Sequence, residues 1–422
     1  MRSAARILAV VAVAAAVGFD AAHLLVLGPW HGEFDLKVYR GAVQWWLQHR
    51  PLYAFHRNKT PFGFTYPPFA GLAMLPLAFV TERGAMILQV IGNGVLVVLL
   101  TWGLVRPVAD RHGWPRWFAV ALAVPLVYLM EPVRETIAYG QVNLYLAALV
   151  VLDVVAIRRG WRWAGVGTGL AAAVKLTPAL FVVYFLLTGR RRAAGIAIGT
   201  FAGATLLAAL LAPGTSWQFW TAILFDTARV GRFESAANQS VLGMIARLAG
   251  SNDPSTVVWL IAAAAVVSVG MWRAVGAFRG GDEVAGVTLT GLTTCLASPI
   301  SWTHHLVWVV PAVVLLVDVG VGTPLAGGSW PWPTGRRTGT RLPAAAGAAL
   351  VAAVFSVSIV SLVSNYAGYP TGTGPPAALA INSYALLMLA LLAFLPTRRL
   401  TPVAPPAART TAPPRPAGSS PR

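Results

Sequence analysis

Asp35 is the first residue of this chain with the makings of a reactive group. A carboxylate held beside a hydroxyl can take its proton as that oxygen attacks, which is general-base work. The same residue opens a helical pattern, so its plainer role is to cap that helix by accepting backbone N–H bonds. Next comes Phe64-Thr65-Tyr66-Pro67-Pro68. Its two prolines stiffen the loop, either as punctuation or as a wall that holds Tyr66 beside the base. Glu131, Arg134 and the run Tyr139-Gly140-Gln141-Val142-Asn143 follow. The amides of Gln141 and Asn143 can cap a helix entry or hydrogen-bond ligand hydroxyls. Lys175 lies in an apolar segment, where a cation is costly and marks function by default. It either snorkels to the interface or binds a phosphate and steadies a departing negative charge. Arg232, Asn238 and Gln239 precede an amphipathic stretch, and Ser298-Pro299-Ile300-Ser301-Trp302-Thr303-His304-His305 closes the set. Adjacent helical residues point about 100° apart. His304 and His305 therefore do not share a metal; one touches a phosphate or the base, and the other packs.

Several chemistries leave no trace. There is no HExxH, no Cys cluster and no carboxylate pair at metal spacing, so no metal site is expected. There is no P-loop and no dinucleotide fingerprint, so neither a nucleotide sugar nor another cofactor is expected. The single Cys, Cys295, excludes an intrachain disulfide and reads as a packing residue.

The elements that must position these groups are membrane helices. The chain has 422 residues, 57% hydrophobic and only 11% charged, against about 25% charged in soluble domains. Several runs reach the roughly 20 apolar residues of a spanning helix. The net charge of +18 does not indicate nucleic-acid binding, because the cations sit at the ends of apolar runs and form no soluble basic face. They fall in nearly pure Arg loops: 158/159/162, 190–192, 336/337/341 and 398/399. Arg and Lys accumulate on the cytoplasmic side. The reactive set therefore faces the other way, and the protein is expected in the plasma membrane with its site outside and both termini inside.

Threading the chain by this rule gives about 12 crossings. The first is an uncleaved helix over 6–27, although Arg2, Arg6 and the Ala/Val run that follows imitate a secretion signal. Residues 34–53 form an amphipathic helix in the first outer loop, with Leu36, Tyr39, Val43, Trp46 and Leu47 on its apolar face. Residues 67–80, interrupted by Pro76, are too short to span and read as re-entrant or interfacial. Residues 163–188 carry Arg at both ends, which a broken or hairpin helix hinged near Lys175–Pro178 resolves. One integral-membrane domain over 1–400 is followed by a low-complexity tail, 401–422, expected to be disordered.

In order, Asp35-Leu36, Val38-Tyr39, Leu52-Tyr53, Phe64-Thr65-Tyr66-Pro67-Pro68, Gly140-Gln141-x-Asn143, Lys175-Leu176-x-Pro178, Asn238-Gln239-Ser240 and Ser298-Pro299-x-Ser301-Trp302-x-His304-His305 resemble glycosyltransferase family 87. These are actinobacterial membrane enzymes of the GT-C class. The resemblance covers about 7–320. It implies an all-α polytopic fold of GT-C type, and inverting transfer of a sugar from a polyprenyl-phosphate donor at the outer face. The best-known members are similar to α-1,2-mannosyltransferases; others transfer arabinofuranose from decaprenyl phosphate. Asp35 matches the base position, and His304 or His305 matches the functional His. Many GT-C enzymes have a second acidic residue after the first, where this chain has Leu36, which weakens a metal-dependent version. The expected partners are the polyprenyl-phosphate sugar, a lipid-linked or polymeric glycan acceptor and membrane lipid, without nucleic acid. Tyr39 and Trp302 join Tyr66, Glu131, Arg134, Gln141, Asn143, Lys175, Arg232, Asn238 and Gln239 as expected substrate contacts. A lipid transporter, with Lys175 at a midplane site, and a non-catalytic envelope scaffold are the competing classes.

Overall fold

The computed structural model describes Gly18 and residues 32–57, 60, 62–226, 229–322, 336–337, 341–364 and 374–399. The expected first helix over 6–27, but for Gly18, and the tail 401–422 lie outside the described residues. The described chain is helical apart from an antiparallel pairing of Arg336–Arg337 with Arg398–Arg399 and a single bridge between His56 and Gly63.

Helix α1 (Phe34–Leu47) buries Leu36, Val38, Tyr39, Ala42 and Val43, the stripe that helical periodicity dictates. Leu47, placed by the sequence on the same face, is exposed. The polar face is clamped and does not simply face water. Arg40 donates from Nε and Nη2 to the Val80 carbonyl at 3.0 and 2.9 Å, Gln44 Nε2 donates to Ala78 O at 3.2 Å, and Lys37 pairs with Glu82 at 3.2 Å. Ala78 and Val80 lie at the end of a short apolar unit, α2 (Pro68–Met74) and the 3-10 turn Leu75–Phe79, and Glu82 opens the next helix. Helix α3 (Glu82–His112) then runs for 31 residues from a Thr81 cap.

Helices α4 (Arg116–Leu129) and α5 (Glu131–Ala138) are bent by 70° at Met130. Helix α6 (Asn143–Arg158) leads to α7 (Val166–Val174), whose first turn is held from outside. Asp153 of α6 accepts from the Gly165 and Gly167 N–H groups at 2.8 and 3.2 Å and also from Thr168 N–H. An anion at a helix N-terminus satisfies donors that have no intrahelical partner. The chain leaves helical geometry at Lys175 (φ −149°, ψ 125°), makes a 3-10 turn at Thr177–Ala179 and resumes as α8 (Leu180–Leu187). Pro178, without an N–H, accounts for the break.

Next are α9 (Arg191–Leu211), α10 (Pro213–Thr221), α11 (Val241–Ala249), α12 (Thr256–Arg279), α13 (Glu283–Ala297) and α14 (Val309–Val321). Helix α15 (Arg341–Val357) breaks at Ser358 into α16 (Ile359–Leu362), and α17 (Gly374–Ile381) with α18 (Ser383–Phe394) completes the described chain. Among the described residues, α3, α9 and α12 can each cross a membrane by length and apolarity, and the bent pairs α4–α5 and α17–α18 raise the number to five. The other apolar stretches among the described residues are in shorter helices, and the expected first crossing over 6–27 lies outside the described residues. Their outer faces are apolar, as at Ile87, Leu88, Ile91 and Leu99 of α3 and Leu260 and Ile261 of α12. This is the surface a helix presents to lipid, and the protein is an integral membrane protein.

Buried ion pairs tie the helix ends. Arg190 pairs with Glu283, and Arg111 with Asp318 at 2.7 Å. The core has one large cluster about Phe181, Tyr184, Leu292, Phe355 and Tyr384, and a second about Tyr39, Tyr53, Phe64 and Phe219.

Candidate active site

The site is assembled where helices stop. The α5 carboxyl end turns through Tyr139 and Gly140, and the Tyr139 carbonyl accepts from Asp35 N–H at 2.9 Å and Leu36 N–H at 3.2 Å. Two unsatisfied N–H groups of the first turn of α1 are thereby paired. The approach requires glycine at 140. Its φ is +73°, and a Cβ there would lie 2.5 Å from Leu36 Cβ. The Asp35 carboxylate is thus fixed to the helix end that also delivers Gln141.

A hydrogen-bonded string follows. Gln141 Nε2 donates to Asp35 Oδ2 at 2.8 Å, and Gln141 Oε1 accepts from Tyr66 OH at 3.1 Å. Tyr66 OH lies 3.0 Å from Tyr39 OH. Since the Tyr66 proton is committed to Gln141, Tyr39 is the donor of that pair. Burial, with the negative charge on Asp35, raises the Tyr66 phenol above its usual range; burial does the same to Tyr39. Both remain neutral donors.

A second group meets it. Lys175 Nζ lies 3.2 Å from Asn143 Oδ1, 2.9 Å from His305 Nε2 and 5.3 Å from the Tyr66 ring centroid. The Trp302 N–H donates to His305 Nδ1 at 3.2 Å. That bond leaves the ring proton of neutral His305 on Nε2, 2.9 Å from Lys175 Nζ. Burial, then the charge on Lys175 and the neighbouring His304, push His305 well below its ordinary value. The His304 ring packs 5.0 Å from Tyr139 and 4.6 Å from His305. Its carbonyl accepts from Thr136 Oγ1 and Asn143 Nδ2, both at 2.9 Å.

These groups face one cavity of about 1620 Å³. Asp35, Tyr39, Tyr66, Gln141 and Lys175 are on its walls, as are Arg134, Trp302, His304 and His305. The other sequence-derived candidates lie elsewhere. Asn143 sits behind Lys175 and braces it. Glu131 is fully buried, accepting from Ser361 Oγ at 2.8 Å and from Tyr384 OH. Asn238 holds the 298–301 loop, accepting from Ser301 N–H at 2.9 Å and donating to Pro299 O at 3.2 Å. Gln239 Nε2 donates to Ile381 O at 2.7 Å, and its Oε1 accepts from Ala385 N–H at 2.9 Å. Arg232 is exposed and pairs with Glu234. The cavity instead presents Arg229, whose Nη2 bonds the Tyr53 carbonyl, together with Glu135 and Tyr139. Sequence reasoning missed these three. Tyr139 carried a signal, since it precedes the glycine of the 140–143 motif; Arg229 carried none that separates it from Arg232. Among the described residues no three His, Cys, Asp or Glu side chains are placed to hold a metal ion.

The sequence pattern of glycosyltransferase family 87 matches residues 64–299. The chain belongs to glycosyltransferase family 87. The match takes in Tyr66, Gln141, Lys175 and Asn238, while Asp35 precedes it and His304 follows it. A relative from Mycobacterium tuberculosis, a polyprenol-phosphate-mannose-dependent alpha-(1-2)-phosphatidylinositol mannoside mannosyltransferase, is 34% identical over 323 residues, 72% of this chain and 74% of its own. Its Mycolicibacterium smegmatis namesake is 33% identical over 67% of this chain and 69% of its own. A pentamannoside mannosyltransferase of that species, also polyprenol-phosphate-mannose-dependent, is 33% identical with the same coverage. No solved structure matches the chain significantly.

Proposed function

We propose that this enzyme transfers a mannosyl group from a polyprenyl-phosphate donor to a glycolipid acceptor, with inversion at the anomeric carbon and Asp35 as general base. The observation that carries the reading is the sharing of one cavity by an oriented carboxylate, Asp35, and a buried amine, Lys175. The acceptor hydroxyl loses its proton to Asp35 as its oxygen bonds to C1 of the donor sugar. The C1–O bond to phosphate breaks on the opposite side, and polyprenyl phosphate departs with the electron pair. A β-linked donor then yields an α-linked product. Lys175, protonated from solvent, counters the charge of that leaving group. Gln141 orients the base, and the Tyr66 and Tyr39 hydroxyls orient Gln141. An apolar wall of Leu176, Phe219, Ile223 and Leu224 suits a polyprenyl chain, which buries about 0.8 kcal/mol per methylene.

The same reading puts the cavity on the outer face of the plasma membrane, in a GT-C-type architecture of about twelve crossings with both termini cytoplasmic. Support comes from the Arg-rich loops. Arg190–Glu283 and Arg111–Asp318 also join helix ends that the charge rule assigns to the cytoplasmic side.

The test is transfer from radiolabelled polyprenyl-phosphate-mannose in membranes carrying wild type or Asp35→Asn, with decaprenyl-phosphate-arabinose as the competing donor. Loss of about 10²- to 10⁴-fold is expected on removing the base. Full activity in Asp35→Asn would remove Asp35 from the role, and wild-type use of the arabinose donor alone would overturn mannose.

A further inference from the structure

The cavity is larger than one substrate requires. Small-molecule sites enclose about 300–1,000 Å³, and this one encloses about 1620 Å³. In-line displacement needs both substrates present at once, with nucleophile and leaving group on opposite sides of C1. The walls come in two chemical kinds. Leu176, Phe219, Ile223 and Leu224 belong to the apolar cluster around Tyr39 and Tyr66. The α5 and α15–α16 wall is polar, with Arg134, Glu135, Ser356, Ser358 and Ser361.

That polar wall is built by a break in a helix. Ser358 holds a left-handed conformation, φ 58° and ψ 48°, which few residues other than glycine adopt. It ends α15, and its hydroxyl accepts from Arg134 Nη2, while Arg134 Nη1 is anchored on the Leu129 carbonyl at 2.8 Å. One turn on, Ser361 Oγ donates to the buried Glu131. Backbone strain of this kind persists where the surroundings over-determine it, and it gathers at ligand sites. Here it places hydroxyls, a guanidinium and a carboxylate on one surface. Val357 and Leu362 on the same wall are exposed apolar residues, a path for a lipid tail.

We infer that the α5/α15–α16 wall is the acceptor subsite and binds a polyhydroxylated lipid headgroup, a sugar or cyclitol, so that one of its hydroxyls reaches Asp35. Glu135 accepts from neighbouring ring hydroxyls, Arg134 and the Ser356 and Ser358 hydroxyls donate to ring oxygens, and Ser361 accepts. This rests on the mannosyltransfer reading and extends it to a wall of which one half, the segment 356–364, lies outside residues 64–299.

The experiment is two-substrate kinetics of purified enzyme in lipid nanodiscs, with polyprenyl-phosphate-mannose and phosphatidylinositol mannoside varied independently, and with transfer to water followed in the absence of acceptor. Glu135→Gln and, separately, Ser356→Leu should raise KM for the acceptor about tenfold or more, the worth of a charge-assisted hydrogen bond or of a blocked ring position. The donor KM and the rate of transfer to water should stay within about twofold, which also reports that the variants are folded. An unchanged acceptor KM in both variants, or a rise confined to the donor KM, overturns the subsite. Absence of any mannosyl transfer by wild type would instead overturn the parent reading.

Discussion

Gly140→Ala is the sharpest probe of how Asp35, the proposed base, is held. A Cβ at 140 would lie 2.5 Å from Leu36 Cβ, where ordinary contact begins at 3.4 Å. Restoring contact needs a displacement of about 1 Å, and Leu36 cannot supply it from a flexible tip because the clash is at its Cβ. Leu36 follows Asp35 in the first turn of α1, so the displacement moves the carboxylate away from Gln141 and the cavity. A misplacement of about 1 Å at a catalytic group costs on the order of 10²-fold in rate. The left-handed backbone adds about 1–2 kcal/mol of strain for a residue with a Cβ. The expected result is a fall of about 10²-fold in kcat for mannosyl transfer, with expression and apparent Tm only modestly lowered. Gly94→Ala is the control. It lies inside α3 with open space around its Cβ position, and should leave activity alone and stabilise by up to about 1 kcal/mol. Wild-type kcat in Gly140→Ala, with the protein folded, would refute the argument that the 139–140 turn positions Asp35.

Two further outcomes separate structure from chemistry. Asp153→Ala removes the carboxylate that three N–H groups of the α7 start share; it should destabilise by about 3 kcal/mol and lower apparent Tm and yield, while activity per folded molecule is retained. His305 is held neutral by burial and by Lys175 and His304, whereas in the unfolded chain it protonates near pH 6.5. Below that pH the unfolded state binds the extra proton, so this residue's contribution is complete above about pH 6.5 and falls by about 1.4 kcal/mol per unit beneath it. His305→Gln should therefore flatten the decline of apparent Tm between about pH 7 and 5, and an equally steep decline would refute a neutral His305.

Much of the framework was legible in the chain. The apolar runs announce an all-helical membrane protein, Pro178 marks the break at Lys175, and the stripe Leu36, Tyr39, Val43 marks the buried face of α1. What could not be read is which polar residue turns inward. Glu131 and Arg134 are one helical turn apart on α5, yet the first is enclosed by Ser361 and Tyr384 and the second reaches the cavity wall. The choice is made by partners about 230–250 positions away, which local periodicity does not carry. Asn238 and Gln239 look like ligands for the same reason and serve as braces for backbone that comes from other helices. The serines at 356, 358, 361 and 364 were visible as polar intrusions in an apolar run, a signal read at Lys175 but not there.

Four of the breaks in helical geometry, at Tyr139–Val142, Lys175–Leu176, Ser298–Trp302 and Ser358, lie at the same cavity. A bilayer forbids irregular backbone facing lipid and tolerates it where it is enclosed in protein or lines a polar space. The breaks therefore cannot drift independently: each exposes peptide groups that the others, or side chains such as Asn143 and Asn238, must satisfy. Asn143 bonds the His304 carbonyl and Lys175 together, and Asn238 bonds both Ser301 and Pro299. The residues that close the backbone ledger of the site are thus distinct from those that touch its contents. Replacing a brace should disturb donor and acceptor kinetics alike, whereas replacing a wall residue should disturb only the substrate it faces.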